Sequence, residues 1–173
     1  MEVKNRIWIL VDPLNCSGCR LCEIACSLKH EGNIWPEASR IRVFEFAPGI
    51  NIPHTCVQCH DYPCVQACPE NALSIDEETG AVLVDVGKCT VCGECVKACP
   101  GNIPRILATK NHVIICDLCN GDPECVKVCR EAGYNALKLI RNPPNYIRKT
   151  YAVDPYYKAA LLAKNIYGDK EVL

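Results

Sequence analysis

The chain is poor in the side chains that usually build a core. Aromatic residues make up only 6% of its 173 positions, and there is a single Met. No apolar run approaches the roughly 20 residues that cross a bilayer. The opening MEVKNRIWILVDP has no secretory pattern, and its apolar run, Ile7 to Val11, is cut by Asp12-Pro13 and reads as a strand. These absences lead us to expect a cytoplasmic protein without direct membrane insertion, although passage on a partner's signal stays open. No basic run or aromatic-interleaved basic patch occurs, so no nucleic-acid partner is expected. Nor is there a phosphate-binding glycine loop, an activated nucleophile or an acid–base constellation. The chain is therefore expected to have no catalytic site of its own.

Cysteine is what the chain has in excess. Its 16 cysteines fall into four groups of four with none left over: Cys16, Cys19, Cys22 and Cys26; Cys56, Cys59, Cys64 and Cys68; Cys89, Cys92, Cys95 and Cys99; Cys116, Cys119, Cys125 and Cys129. The gaps within the groups are 2-2-3, 2-4-3, 2-2-3 and 2-5-3. The groups are internal repeats: ECVKAC (94–99) returns as ECVKVC (124–129), and NALSI (71–75) as NALKLI (135–140). The repeat reads as a cysteine loop, a short helix and a short strand. In every group the third and fourth cysteines stand at i and i+4, on one face of a helix. Between the second and third groups, Leu73–Ile75 and Val82–Val86 read as strands of a hairpin turning at Glu77 to Gly80. SRIRVFEF (39–46) alternates and is a further strand candidate.

Such spacing suits cubane iron–sulfur clusters. Three closely spaced thiolates wrap one cluster, and the fourth reaches a neighbouring one, so the motifs should work in pairs. Zinc needs only two Cys-x-x-Cys pairs, and a disulfide scaffold does not require the repeated i,i+4 pair. His30, His54, His60 and His112 replace no cysteine and read as surface or supporting residues, while Asp61 and Asp117 find no vacancy to fill. The formal charge of −1 would fall to about −9 with four clusters, each contributing roughly −2 with its thiolates.

CPENALSIDEETGAVLVDVGKCTVCGECVKACP (68–100) resembles the middle of a bacterial two-cluster ferredoxin, and residues 5–141 resemble the four-cluster iron–sulfur subunits of molybdopterin and tungstopterin oxidoreductases. That group includes the electron-transfer subunits of dimethyl sulfoxide reductase, formate dehydrogenase and nitrate reductase. In size the chain is similar to the small polyferredoxin subunits that accompany tungsten aldehyde oxidoreductases. The resemblance implies an α+β fold of duplicated ferredoxin-like modules over 1–141, with the first group paired with the fourth and the second with the third. It implies four 4Fe-4S clusters, held by Cys16, Cys19, Cys22 and Cys129; by Cys116, Cys119, Cys125 and Cys26; by Cys56, Cys59, Cys64 and Cys99; and by Cys89, Cys92, Cys95 and Cys68. One sequence feature agrees. Groups two and three end in Cys68-Pro69 and Cys99-Pro100, whereas groups one and four run on as Cys26-Ser27 and Cys129-Arg130. Proline ends a helix; without it the first helix can continue to Gly32. Pairing of sequence neighbours, one with two and three with four, remains the rival scheme.

Residues 142–173 form a tail that holds five of the seven tyrosines: Tyr146, Tyr151, Tyr156, Tyr157 and Tyr167. Asp154 and Pro155 should start a helix through about Asn165, with Gly168 beyond it. The tail reads as a partner-docking segment or as a strap on the chain's own core. The resemblance implies an electron-transfer subunit that joins a large pterin-bearing catalytic subunit, first of all a tungsten aldehyde oxidoreductase, to an external donor or acceptor such as ferredoxin or another redox subunit. A free polyferredoxin, a subunit of a formate dehydrogenase, hydrogenase or acyl-CoA reductase complex, and a metal-stabilised scaffold are the alternatives.

Overall fold

The computed structural model describes residues 6–168. Four two-stranded antiparallel sheets carry the architecture. Strands β1 (Ile7–Val11), β2 (Arg42–Ala47), β3 (Ile50–His54), β4 (Leu73–Ile75), β5 (Val82–Val84), β6 (Arg105–Ile106), β7 (Val113–Ile114) and β8 (Leu137–Arg141) pair as β2–β3, β4–β5, β6–β7 and β1–β8. Each of the first three pairs is a hairpin joining one cysteine group to the next. The fourth pair joins the last group back to the first, with Ile7 opposite Arg141 and Val11 opposite Leu137. The four motifs therefore sit on a closed ring.

The helices follow the prolines. After groups one and four, α1 (Leu21–Glu31) and α4 (Glu124–Glu131) run on past Cys26 and Cys129. After groups two and three, α2 (Pro63–Gln66) and α3 (Glu94–Ala98) stop before Cys68 and Cys99. The expectation that third and fourth cysteines share a helical face thus holds for Cys22/Cys26 and Cys125/Cys129 only. In the other two groups the fourth cysteine falls beyond the helix end, because the proline that follows it disfavours helical backbone there. Helix α1 packs on α4, and α2 on α3. Gly32 closes α1 in a left-handed conformation (φ 73°), as read from the sequence.

Hydrophobic side chains and thiols share one core. Ile7, Ile9, Ile41, Val43, Leu73, Val82, Val113 and Leu137 pack with Cys22, Cys26, Cys56, Cys64, Cys95, Cys116, Cys125 and Cys129. The short strands β3, β6 and β7 leave little trace in the sequence; at two to five residues they show little periodicity, and Pro53 interrupts the β3 pattern. Glu23, itself buried, accepts the amide of Val43 at 2.7 Å and so locks β2 to α1.

The tail is built into this core. Helix α5 (Asn145–Thr150) is hidden in the sequence because Pro143-Pro144 reads as a break, whereas Pro144 supplies the carbonyl that accepts the Ile147 amide at 3.3 Å. Helix α6 (Pro155–Tyr167) starts at Asp154, whose carboxylate accepts the Tyr156 amide at 2.8 Å. Its Ala159, Leu162 and Ala163 pack on Ile50 and Ile52 of β3. Tyr151 meets Trp8 edge-on at 5.1 Å, and Tyr156 meets Phe46 at 5.0 Å. The strap reading thus describes the inner face of the tail.

Lys158 is the misfit on that face. His54 Nε2–H donates to Gly101 O at 2.6 Å, so its Nδ1 is left to accept from Lys158 Nζ at 3.3 Å. Burial pulls Lys158 down to about 8. A lysine depressed from 10.5 to about 8 in the fold weakens it fully below pH 8 and ceases to do so as pH rises to 10.5, where both states are neutral. Lys158→Met is therefore expected to stabilise the protein near pH 7 by about 1–2 kcal/mol, a partly solvated ammonium costing less than a fully buried one. Anaerobic thermal melts should show this gain shrinking between pH 8 and 10.5.

Candidate metal centres

The cysteine loops share a backbone device. The residue before the second cysteine is left-handed in all four groups: Gly18 (φ 76°), Gln58 (51°), Val91 (58°) and Leu118 (57°). A second left-handed residue stands two places before the third cysteine in groups one to three, namely Arg20 (59°), Tyr62 (42°) and Gly93 (81°). Such reversals turn successive backbone N–H groups toward one concavity, which then favours negative charge. At Gly18 the fit is also close: a Cβ would stand 2.8 Å from Asn51 Oδ1, and Asn51 Nδ2 donates to Cys16 O at 3.3 Å.

The loops bring the thiols together in fours. Cys16, Cys19, Cys22 and Cys129 line one small apolar cavity. Cys56, Cys59, Cys64 and Cys99 line a second, and Cys68, Cys89, Cys92 and Cys95 a third. Cys125 stands within electrostatic reach of Cys116, Cys119 and Cys26, which makes a fourth set. In each set three thiols come from one loop and one from another. The sets also adjoin in order. Cys125 feels Cys22, Cys56 feels Cys116, and Cys64 feels Cys95, so the sets form a row with the Cys16 and Cys89 sets at its ends. Each end set carries an exposed thiol, Cys19 and Cys92, while Cys56 and Cys116 in the middle are buried.

Burial and mutual repulsion make these thiols reluctant to ionise. Cys22, Cys64 and Cys116 are pushed up to about 12, first by desolvation and then by charged neighbours, chiefly other cysteines. Backbone amides partly answer that cost. Ala72 N donates to Cys68 Sγ at 3.2 Å, Ile103 N to Cys99 Sγ at 3.4 Å, Arg40 N to Cys26 Sγ at 3.2 Å and Gln58 N to Cys56 Sγ at 3.4 Å. No disulfide joins any of the 16 cysteines. Four convergent thiols, an apolar surround and amides aimed at sulfur fit a cationic iron–sulfur core, which displaces the thiol protons as it binds.

Three polar residues near the sets carry more than the sequence reading assigns them. His30 Nδ1–H donates to Cys26 O at 2.8 Å and Nε2–H to Asp117 Oδ1 at 2.9 Å, which ties group one to group four. Asp117, with Cys119 and Cys26, drives His30 up to about 12, so it stands as an imidazolium. His30, Asp117 and Cys119 offer ligand atoms within 4.8 Å of one another. Gln58 is fully buried; its Nε2 donates to Cys116 O at 2.9 Å and its Oε1 accepts from Val82 N at 3.1 Å, joining groups two and four. Arg148, from α5, is fully buried beside Gln58. Its only sequence signal is a basic residue in an otherwise tyrosine-rich tail. His60 is exposed and His112 half-buried, as read, but His54 is buried under the tail.

The tail tyrosines divide. Tyr156, Tyr157 and Tyr167 are 67%, 63% and 46% exposed, and Tyr151 is 38% exposed although its ring touches Trp8. Tyr146 lies in α5, and its side chain is outside the described residues. Among the described residues no helix is long and apolar enough to cross a membrane.

Val91 is the one β-branched residue among the left-handed positions, and that conformation costs it roughly 1–2 kcal/mol. Val91→Gly is expected to raise the anaerobic melting midpoint while leaving the iron content unchanged. A lowered midpoint would mean that the Val91 side chain, which lines the Cys89 cavity, contributes more than its strain costs.

Comparison with known proteins agrees with this geometry. Residues 49–138 match the 4Fe-4S dicluster domain family. The polyferredoxin-like subunit of aliphatic sulfonate oxidoreductase from Pyrococcus furiosus is 62% identical over 168 residues, covering 97% of both chains. A subunit of the anaerobic dimethyl sulfoxide reductase of Escherichia coli is 32% identical over 140 residues, 69% of this chain and 67% of that one. The electron transport protein HydN of the same species is 34% identical over 149 residues, 70% of this chain and 82% of that one. The chain belongs to the polyferredoxin-like electron-transfer proteins built on the 4Fe-4S dicluster domain.

Proposed function

We propose that this chain is the non-catalytic electron-transfer subunit of an oxidoreductase complex and that it holds four 4Fe-4S clusters in a row. The ligand sets are those that the family resemblance implies: Cys16, Cys19, Cys22 with Cys129; Cys116, Cys119, Cys125 with Cys26; Cys56, Cys59, Cys64 with Cys99; and Cys89, Cys92, Cys95 with Cys68. The observation that carries this reading is the convergence of thiols, three from one loop and one from its partner, around each small apolar cavity. Bound clusters would supply one-electron redox chemistry. The residues of the chain do the rest. The loops present thiols and amides, the core excludes water, and the exposed Cys19 and Cys92 mark the two ends where electrons enter and leave.

The partner we propose is a large catalytic subunit bearing a tungsto- or molybdopterin, in the cytoplasm. The name of the 62% identical relative favours an aliphatic sulfonate over an aldehyde as that partner's substrate class. Docking is assigned to the outer face of α6, where Tyr157, Leu161 and Tyr167 are 63%, 52% and 46% exposed. The inner face is engaged in the core, so point variants test docking better than removal of residues 143–173. Tyr157→Ser with Tyr167→Ser is expected to weaken co-purification of the large subunit at unchanged iron content. Undiminished co-purification would reject this face.

Two measurements bear on the clusters themselves. Anaerobic protein should contain about sixteen irons per chain, four per cubane. A count near eight would sink the four-cluster reading. Cys26→Ser should damage the centre held by Cys116, Cys119 and Cys125 in electron paramagnetic spectra. Damage at the centre of Cys56, Cys59 and Cys64 instead would favour the neighbour-pairing scheme.

A further inference from the structure

Among the described residues Arg148 is the largest fully buried side chain, and it comes from the tail, not from a cysteine motif. Its guanidinium donates through Nη1 to the carbonyl of Gln58, the left-handed residue between Cys56 and Cys59. It also bonds Tyr62 and lies within electrostatic reach of Cys59. Arg6, with its guanidinium carbon 5.9 Å from the Tyr62 ring centroid, stands on the same side. Tyr62 is in turn fixed by donating to Gly80 O at 2.8 Å. A fixed cation is thus set against this thiol set. The Gln58 carbonyl that it holds belongs to the same peptide as the Cys59 amide, so the cation also steadies the loop that wraps the set.

From this placement we infer that Arg148 is the positioning residue that sets the reduction potential of the centre on Cys56, Cys59, Cys64 and Cys99, raising it above the value its thiols alone would give. The inference rests on the four-cluster reading. One electron arriving from a neighbouring centre leaves that neighbour oxidised and adds one negative charge to this site, with no proton required. The added charge is stabilised by a nearby cation in a medium of low dielectric, whereas the oxidised state gains less. Arginine suits the task because it stays charged when buried while its planar fork holds a carbonyl of the loop. The tail then has a third role besides strapping and docking. It raises the potential of one interior centre of the row.

The test is a redox titration of the full-length anaerobic protein followed by electron paramagnetic resonance. Arg148→Gln keeps a polar amide at the position and loses the charge, whereas Arg148→Lys keeps the charge and loses the fork. Arg148→Gln is expected to move one couple negative by about tenfold in its oxidised-to-reduced ratio, 59 mV for one electron, with the other three unmoved. Arg148→Lys should leave that couple near its native value. Unchanged couples in Arg148→Gln, or an equal shift of all four, would overturn the inference. Should Arg148→Gln lose iron, native couples and full iron in Arg148→Lys support the role of charge, and equal iron loss in Arg148→Lys rejects it. Fewer than four couples in the unaltered protein would instead defeat the four-cluster reading beneath it.

Discussion

Four thiols crowded around an apolar cavity repel one another as soon as they ionise, and the whole structure depends on how that repulsion is met. Burial and neighbouring sulfur push Cys22, Cys64 and Cys116 so far up that, left alone, they would stay protonated. A cationic core at the centre of each set reverses this, because the same crowding that penalises free thiolates becomes a ready ligand shell. Cohesion that an ordinary domain draws partly from aromatic bulk would be supplied here by metal–sulfur bonding beside an aliphatic core. Several two- to three-residue strands then suffice to hold the loops.

The surroundings of the thiols divide by proline. Where Cys68 and Cys99 are followed by proline, the helix stops and an amide four residues on turns back to the sulfur, from Ala72 and Ile103 respectively. Where Cys26 is followed by Ser27, the helix runs on and carries His30 to the Cys26 carbonyl and to Asp117 of the fourth group. At Cys26 the sulfur still accepts a backbone amide, from Arg40 at 3.2 Å, and the longer helix adds a charged side chain. The two kinds of site differ in local field, and that difference would give clusters bound there unlike potentials.

Much of this was legible in the sequence. The i,i+4 cysteines of groups one and four, the Cys-Pro contrast, the β4–β5 hairpin and the Asp154-Pro155 start of α6 all rest on local rules that survive folding; in groups two and three the following proline overrode the i,i+4 reading. What escaped was long-range or very short. The β1–β8 pair joins segments that no periodicity relates. The two-residue strands β6 and β7 carry too few residues to show alternation. Gln58 and Arg148 look like ordinary polar residues in the sequence and become structural only because two loops and the tail close over them. The tail's inner face packs on the core, and its outer face stays exposed, a distinction that composition alone could not draw.

The ring of motifs has a consequence for biosynthesis. Covalent order runs one, two, three, four, but the thiol sets adjoin in the order one, four, two, three. On the ribosome the first loop emerges with Cys16, Cys19 and Cys22 and then waits for Cys129 more than a hundred residues later. The sets built from groups two and three are complete once Cys99 is out. The sets drawn from groups one and four close only near the end, when β8 finds β1. A nascent chain can therefore never expose a finished wire, and a prematurely terminated one keeps its first loop open.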